Sequence, residues 1–170
     1  MERLSAQDVI RLLELSPHPR EGGFFRETYR SDESLPAAAL PARYAGPRCF
    51  GTSIYYLLTD STFSEMHRLE GDEVFHFHAG DPVEMLHLFP DGSGRVFVLG
   101  PDLAAGQRPQ VTVPRGLWQG ARVAAGGSWS LMGTTVAPGF EYADYRTAPR
   151  EELCARWPAF AEGIRRLTHG

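Results

Sequence analysis

The stretch Phe63-Ser64-Glu65-Met66-His67-Arg68-Leu69-Glu70-Gly71-Asp72-Glu73-Val74-Phe75-His76-Phe77-His78 decides how the chain is read. Two runs of β-forming residues flank Glu70-Gly71-Asp72, which has the composition of a tight turn. Strand side chains alternate between two faces. On that rule Glu65, His67 and Leu69 share one face of the first run. Glu73, Phe75 and Phe77 share one face of the second, with Val74, His76 and His78 on the other. The turn folds the runs antiparallel and brings His67 and Glu73 together across the ladder. The spacing thus predicts a hairpin with an imidazole and a carboxylate on its inner face.

The same pattern continues on both sides. Candidate strands cover 49–58, 62–69, 73–79, 83–89, 95–99, 110–113, 118–124 and 128–136, separated by turns such as Ala79-Gly80-Asp81-Pro82, Pro90-Asp91-Gly92-Ser93-Gly94 and Gly126-Gly127. Short strands at roughly ten-residue intervals indicate an all-β sandwich or barrel, and no helix between them is long enough for a parallel crossover. The 18 glycines and 13 prolines suit many turns and argue against a helical bundle. Ser5 with Asp8 caps a short helix over 6–15, which Pro17-His18-Pro19 stops. Residues 31–47 read as a surface loop. Pro149 followed by Glu151-Glu152 opens a C-terminal helix over about 150–167, broken at Pro158. The chain reads as one domain, 1–170, with a barrel core over about 22–146.

Composition removes several function classes. A net charge of −4 without a basic stripe excludes nucleic acid as a partner. No apolar run approaches the roughly 18 residues of a membrane span. The start, MERLSAQDVIRLLEL, is charged and amphipathic, unlike a signal peptide. Cys49 and Cys154 lie far apart and outside any CxxC motif, so they read as reduced thiols, which with the absence of an export signal predicts the cytoplasm.

The motifs resemble the cupin superfamily. Its first motif places two metal-binding histidines one residue apart, then a glutamate, then a glycine seven positions on. This chain has Glu65-x-His67, Glu73 and Gly80; Glu65 replaces the first histidine, and the gap from His67 to Glu73 is one residue longer than usual. The second motif contains Pro-x-Gly-x-x-His, and here Pro114-Arg115-Gly116-Leu117-Trp118-Gln119 puts Gln119 at the third histidine and Val123 at the expected asparagine. A small family of stand-alone cupins is closer, through Pro17-His18-Pro19 with Gly22-Gly23, Asp72-Glu73, His76-Phe77-His78, Pro114-x-Gly116-x-Trp118-Gln119 and Gly126-Gly127-x-Trp129. The resemblance spans about residues 10–157. It implies a double-stranded β-helix, a jelly-roll barrel with short helices at both ends. It also implies a homodimer, with the N-terminal strand free to extend a partner's sheet.

The resemblance further implies a divalent metal held by His67, Glu73 and Gln119, with Glu65 as a fourth donor. One nitrogen and three oxygens make a harder and weaker site than three histidines and a glutamate, so the sequence favours no tightly bound metal. Without a metal, Glu73 beside His67 raises and orients the imidazole as a general base. Metal-free sugar-nucleotide epimerases of similar overall form pair such a histidine with a tyrosine acid, for which Tyr55, Tyr56, Tyr142 and Tyr145 are candidates by type. Substrate contacts are expected from Glu65, Phe75, Phe77, Trp118, Gln119, Tyr55 and Arg68. Arg68 and Arg122 read either as carboxylate or phosphate clamps or as surface ion pairs. His76 and His78 belong to the outer face, His87 to a strand with its ring satisfied, and His18 to a loop with no chemical role. Three functions fit: an isomerase or epimerase of a small polar, sugar-like molecule, a metal-dependent dioxygenase-like enzyme, and a non-catalytic ligand-binding or sensing module.

Overall fold

In a computed structural model the described residues are 4–169, so the ends of the expected 1–170 domain, residues 1–3 and 170, lie outside them. In chain order the elements are α1 (Ala6–Leu12), β1 (Ser16–Pro17), β2 (Phe24–Arg30), β3 (Ser34–Leu35), β4 (Arg48–Cys49), β5 (Thr52–Thr59), β6 (Phe63–Arg68), β7 (Asp72–Gly80), β8 (Val83–Leu88), β9 (Gly94–Leu99), β10 (Gln110–Val113), β11 (Trp118–Val123), β12 (Trp129–Ala137), β13 (Arg146–Thr147), α2 (Arg150–Arg156) and α3 (Ala161–Arg166). Two antiparallel sheets, in the orders β1-β2-β5-β12-β7-β10 and β13-β6-β11-β8-β9, form the jelly-roll barrel, with β3 and β4 as a separate ladder. The expected strands are present to within a few residues, because Gly/Pro/Asp turns mark both ends of each.

The first helix is shorter than the 6–15 expected. Ser5 and Asp8 close a capping box: the Asp8 N–H donates to Ser5 Oγ at 3.2 Å and the Ser5 N–H to Asp8 Oδ2 at 3.1 Å. The helix ends before the prolines, because Glu14 turns to φ 53° and the Leu15 N–H reaches back to the Ile10 carbonyl at 2.9 Å. That turn drives Leu15 inward beside Val9, Leu57 and Trp129, fixing α1 on the outside of the larger sheet. The C-terminal helical region divides at Pro158 as expected. Its halves bury Leu153, Trp157, Ile164 and Leu167 against Met66, Leu86, Leu88 and Trp118 on the outside of the smaller sheet. No helix among the described residues is long and apolar enough to cross a membrane.

Between the sheets, Tyr56, Leu58, Phe75, Val83, Met85, Ala121, Val123 and Met132 belong to one apolar core. Along the inward face of β11, Val123 and Ala121 enter that core, and the next inward residue, Gln119, reaches the polar end of the barrel. One face of one strand therefore passes from a packed apolar interior to the polar end within three inward positions.

A buried ion pair closes the polar end. Arg48, at the start of β4, donates from Nε to Asp144 Oδ2 at 2.8 Å and from Nη2 to Asp144 Oδ1 at 2.5 Å, and the two residues are only 3% and 5% exposed. Asp144 directly precedes Tyr145, and β13 then pairs with β6 through Thr147 opposite His67. Removing one partner leaves a buried charge uncompensated, so Asp144→Ala should lower unfolding free energy by about 3–5 kcal/mol. Chemical denaturation checks this; a loss under about 1 kcal/mol would mean the pair is solvated and does not hold the segment.

Candidate functional site

The site begins with a bulge. Gln119 of β11 pairs with His67 of β6, but Ala121, two residues on, pairs with Ser64, three residues back, so β6 carries one extra residue. Strict alternation therefore fails between Ser64 and His67, and both positions face inward. This corrects the expectation for Glu65. Glu65 does not line the cavity, and it contributes its backbone carbonyl, which lies 2.7 Å from His67 Nδ1. A carbonyl only accepts, so His67 Nδ1 carries the proton and Nε2 of the neutral ring is an acceptor.

Gln119 completes the arrangement. Its Nε2 donates to Glu73 Oε2 at 2.6 Å and lies 3.3 Å from His67 Nε2. One amide group thus joins the histidine of one sheet to the glutamate of the other. All three residues are buried, with exposures of 1%, 7% and 2% for His67, Glu73 and Gln119. Burial raises the Glu73 pKa to about 7, reinforced by the nearby Glu21 carboxylate and opposed by His67 and Gln119.

His67 and Glu73 open onto a cavity of about 160 Å³ whose other walls include His18, Glu21, Phe25, Thr134, Leu69 and Tyr142. His18 and Glu21 enter because the Gly22-Gly23 pair lets the N-terminal segment cross the barrel end. Both glycines adopt positive φ, 96° and 70°, and a Cβ on Gly23 would lie 2.6 Å from the Leu57 carbonyl. The crossing is fastened by the Glu65 N–H to the Glu21 carbonyl at 2.9 Å, the Tyr56 hydroxyl to the Gly22 carbonyl at 2.9 Å and the Ser64 hydroxyl to Glu21 Oε1 at 2.5 Å. His18 sits in a loop as expected, but that loop makes it part of the cavity wall. Proline-histidine-proline ahead of two glycines was the available signal, since paired glycines mark a close approach of backbones.

The candidate tyrosines separate. Tyr145 stacks on His67, with ring centroids 4.9 Å apart and planes 22° from parallel. Burial pushes its phenol well above the usual range, and its buried hydroxyl has no hydrogen-bond partner among the described residues. Tyr56 is buried and engaged by Gly22, and Tyr142 lines the mouth. Tyr55 points to the outer face, its ring 6.0 Å from His78 and under the Arg26 guanidinium at 5.9 Å, and makes no contact with the cavity.

Other expected substrate contacts also lie elsewhere. Arg68 follows His67 and so projects outward, over the Trp118 ring at 5.1 Å. Trp118 itself packs against the C-terminal helices, because its neighbour Gln119 takes the inward position. Phe75 and Phe77 share the inward face with Glu73 but sit deeper, within and against the apolar core, and do not line the cavity. His87 is buried as a strand residue, yet its Nε2 lacks a partner among the described residues, and burial depresses its pKa to about 4, so the ring is neutral.

A divalent metal of the kind the resemblance implies does not fit these donors. The Gln119 amide nitrogen points between Glu73 and His67, which places N–H hydrogens where a cation would need lone pairs. Among the described residues no three His, Cys, Asp or Glu side chains converge as a ligand set.

Comparison with known proteins agrees with the architecture. A family model described as Cupin superfamily (DUF985) matches residues 7–148. A crystal structure of a Shewanella oneidensis protein is similar with a TM-score of 0.85 and 38% identity, covering 98% of this chain and 99% of that one. A hypothetical protein from Leishmania major is similar with a TM-score of 0.87 and 30% identity, covering 98% and 100%. An uncharacterized protein of Saccharomyces cerevisiae is 29% identical over 83% of this chain and 74% of its own length. Since the family model covers most of the chain, this chain belongs to the Cupin superfamily (DUF985).

Proposed function

We propose that this cupin binds a small uncharged polar molecule bearing a carbonyl and moves a proton at the adjacent carbon, as an isomerase or epimerase does. The observation that carries this reading is Glu73, a carboxyl in the cavity wall whose pKa is raised to about 7. A group poised there both accepts and returns a proton at neutral pH. Glu73 takes the role of base expected of His67, because both His67 nitrogens are engaged, by the Glu65 carbonyl and the Gln119 amide. His67 and Gln119 then orient Glu73 and stabilise its anionic form.

Size and charge narrow the substrate. A cavity of about 160 Å³ suits one small ring or short chain and does not enclose a nucleotide-sugar. Its acidic residues are Glu21, Glu27, Glu73 and Glu141, and its one arginine, Arg30, is bonded to Glu27, to Glu141 and to the Phe140 carbonyl. That balance disfavours phosphate and carboxylate ligands. The reading takes the protein as a cytoplasmic homodimer of one-domain subunits. Free Cys49 and Cys154 suit a reducing compartment. β2 pairs with β5 of its own chain, yet β1 covers only Phe24 and Phe25 of its other edge, leaving Arg26–Arg30 for a partner.

Incubation in D2O with dihydroxyacetone, hydroxyacetone and free pentoses and hexoses tests the reading, with deuterium uptake at carbon followed by NMR. Exchange above the buffer rate is expected, unchanged by EDTA and reduced at least about 10²-fold in Glu73→Gln. Saturable binding without exchange would instead make the protein a binding module.

The raised Glu73 pKa also sets a pH dependence. Between the unfolded value near 4.5 and the folded value of about 7, the native state holds a proton that the unfolded state has released, so stability falls as pH rises through this window. The full decline attributable to Glu73 is on the order of 3 kcal/mol. Urea denaturation of the unsubstituted protein should show it, and Glu73→Gln should flatten the profile; parallel profiles would contradict the assignment.

A further inference from the structure

The cavity holds two histidines whose ring protons are fixed in opposite senses. His67 has Nδ1–H committed to the Glu65 carbonyl, which leaves Nε2 as an acceptor. His18 is the reverse: its Nδ1 accepts the Glu21 backbone N–H at 2.8 Å and lies 3.4 Å from the Arg20 N–H, so a neutral ring carries its proton on Nε2. Among the described residues that Nε2–H has no hydrogen-bond acceptor. Glu21 Oε2 is 3.9 Å away, beyond hydrogen-bond reach, and Glu21 Oε1 is taken by the Ser64 hydroxyl. The ring is also held in place, with its side chain only 6% exposed and edge contacts to Phe25 at 4.7 Å and Tyr56 at 6.1 Å.

We propose that His18 is the electrophile of this site: its Nε2–H holds the carbonyl oxygen of the bound molecule while Glu73 works on the neighbouring carbon. This rests on the acid–base reading of Glu73 and adds the substrate requirement, a carbonyl oxygen borne by the atom next to the carbon that loses its proton. His18 and Glu73 both line a cavity with room for one small ring, so a molecule filling it lies against both. The Glu73 carboxylate takes the proton from carbon, the C–H electron pair becomes the carbon–carbon π bond of an enolate, and the carbonyl π pair moves to oxygen. His18 donates a hydrogen bond to that oxygen and keeps its proton. Return of a proton from Glu73 to carbon restores the carbonyl, with deuterium incorporated after exchange with D2O. No oxidant or reductant is needed. Burial and the neighbouring His67 hold the His18 pKa below its ordinary value, while Glu21 opposes them, so the donor is the uncharged ring.

The test uses dihydroxyacetone in D2O with the full chain and two variants. His18→Phe keeps an aromatic ring and removes the donor; His18→Gln keeps an N–H. At saturating probe, His18→Phe should slow exchange about 10²- to 10³-fold, as loss of an oxyanion donor does, with the pH midpoint set by Glu73 unmoved. His18→Gln should recover part of the loss. Histidine ¹⁵N NMR of the unsubstituted protein at pH 7 should show His18 protonated at Nε2 and bare at Nδ1, and this holds as a check even where His18→Phe does not fold. Exchange that survives His18→Phe but not Glu73→Gln overturns the electrophile and leaves the acid–base reading standing. Exchange indifferent to both, or absent altogether, overturns the reading and the electrophile with it. An Nδ1-protonated or doubly protonated His18 overturns the electrophile alone.

Discussion

The polar end of this barrel depends on the amide of Gln119. It is the hydrogen-bond link between the two sheets at the cavity, donating to Glu73 of the larger and meeting His67 of the smaller. A hydrogen bond to a charged group contributes about 1.5–3 kcal/mol. Here the larger consequence is electrostatic. With a second histidine at this position the site would offer lone pairs to a cation. With an amide N–H it offers hydrogens, and the carboxylate is balanced only in part. Burial then dominates and holds Glu73 near neutrality. Glutamine in place of histidine thus suits the proton exchange we propose better than it suits a cation, on the same fold.

The surrounding structure keeps that balance. The apolar core beneath and the rings of Phe25, Phe140 and Tyr142 around the mouth limit water, which sustains the raised Glu73 pKa. Tyr145 covers the His67 ring, and the Arg48–Asp144 pair anchors the segment that delivers it. Across the cavity the glycine-paired crossing brings His18 and Glu21 in from a segment that precedes the barrel proper. The site therefore draws on both sheets, the N-terminal crossing and the segment before β13, and forms only when the barrel closes.

Much of this was legible in the sequence for a physical reason: turns state themselves through Gly, Pro and Asp, and alternation assigns faces between them. His67, Glu73 and Gln119 converge, and Trp118 and Arg68 turn outward, as alternation from those same three residues requires, although both had been expected to touch substrate. Alternation failed at Glu65, where an extra residue in β6 is decided by the partner strand and leaves no mark in the local sequence. Phe75 and Phe77 share the correct face but lie deeper, since a face does not specify depth. His18 and Glu21 were missed because a loop crossing the barrel end obeys no strand period; their one signal was the adjacent glycine pair. Tyr145 could not be chosen among four tyrosines until the Arg48–Asp144 contact, 96 residues apart in the chain, was known.

If Glu73, buried against the Gln119 amide, is the proton-exchanging group we propose, its carboxyl titrates near neutral pH. ¹³C NMR titration of the labelled Glu73 carboxyl, assigned by its loss in Glu73→Gln, tests this directly. A midpoint of about 7 is expected. A midpoint near the ordinary glutamate value of roughly 4.3 would mean that the cavity is wet or the carboxylate is fully paired, and would contradict it.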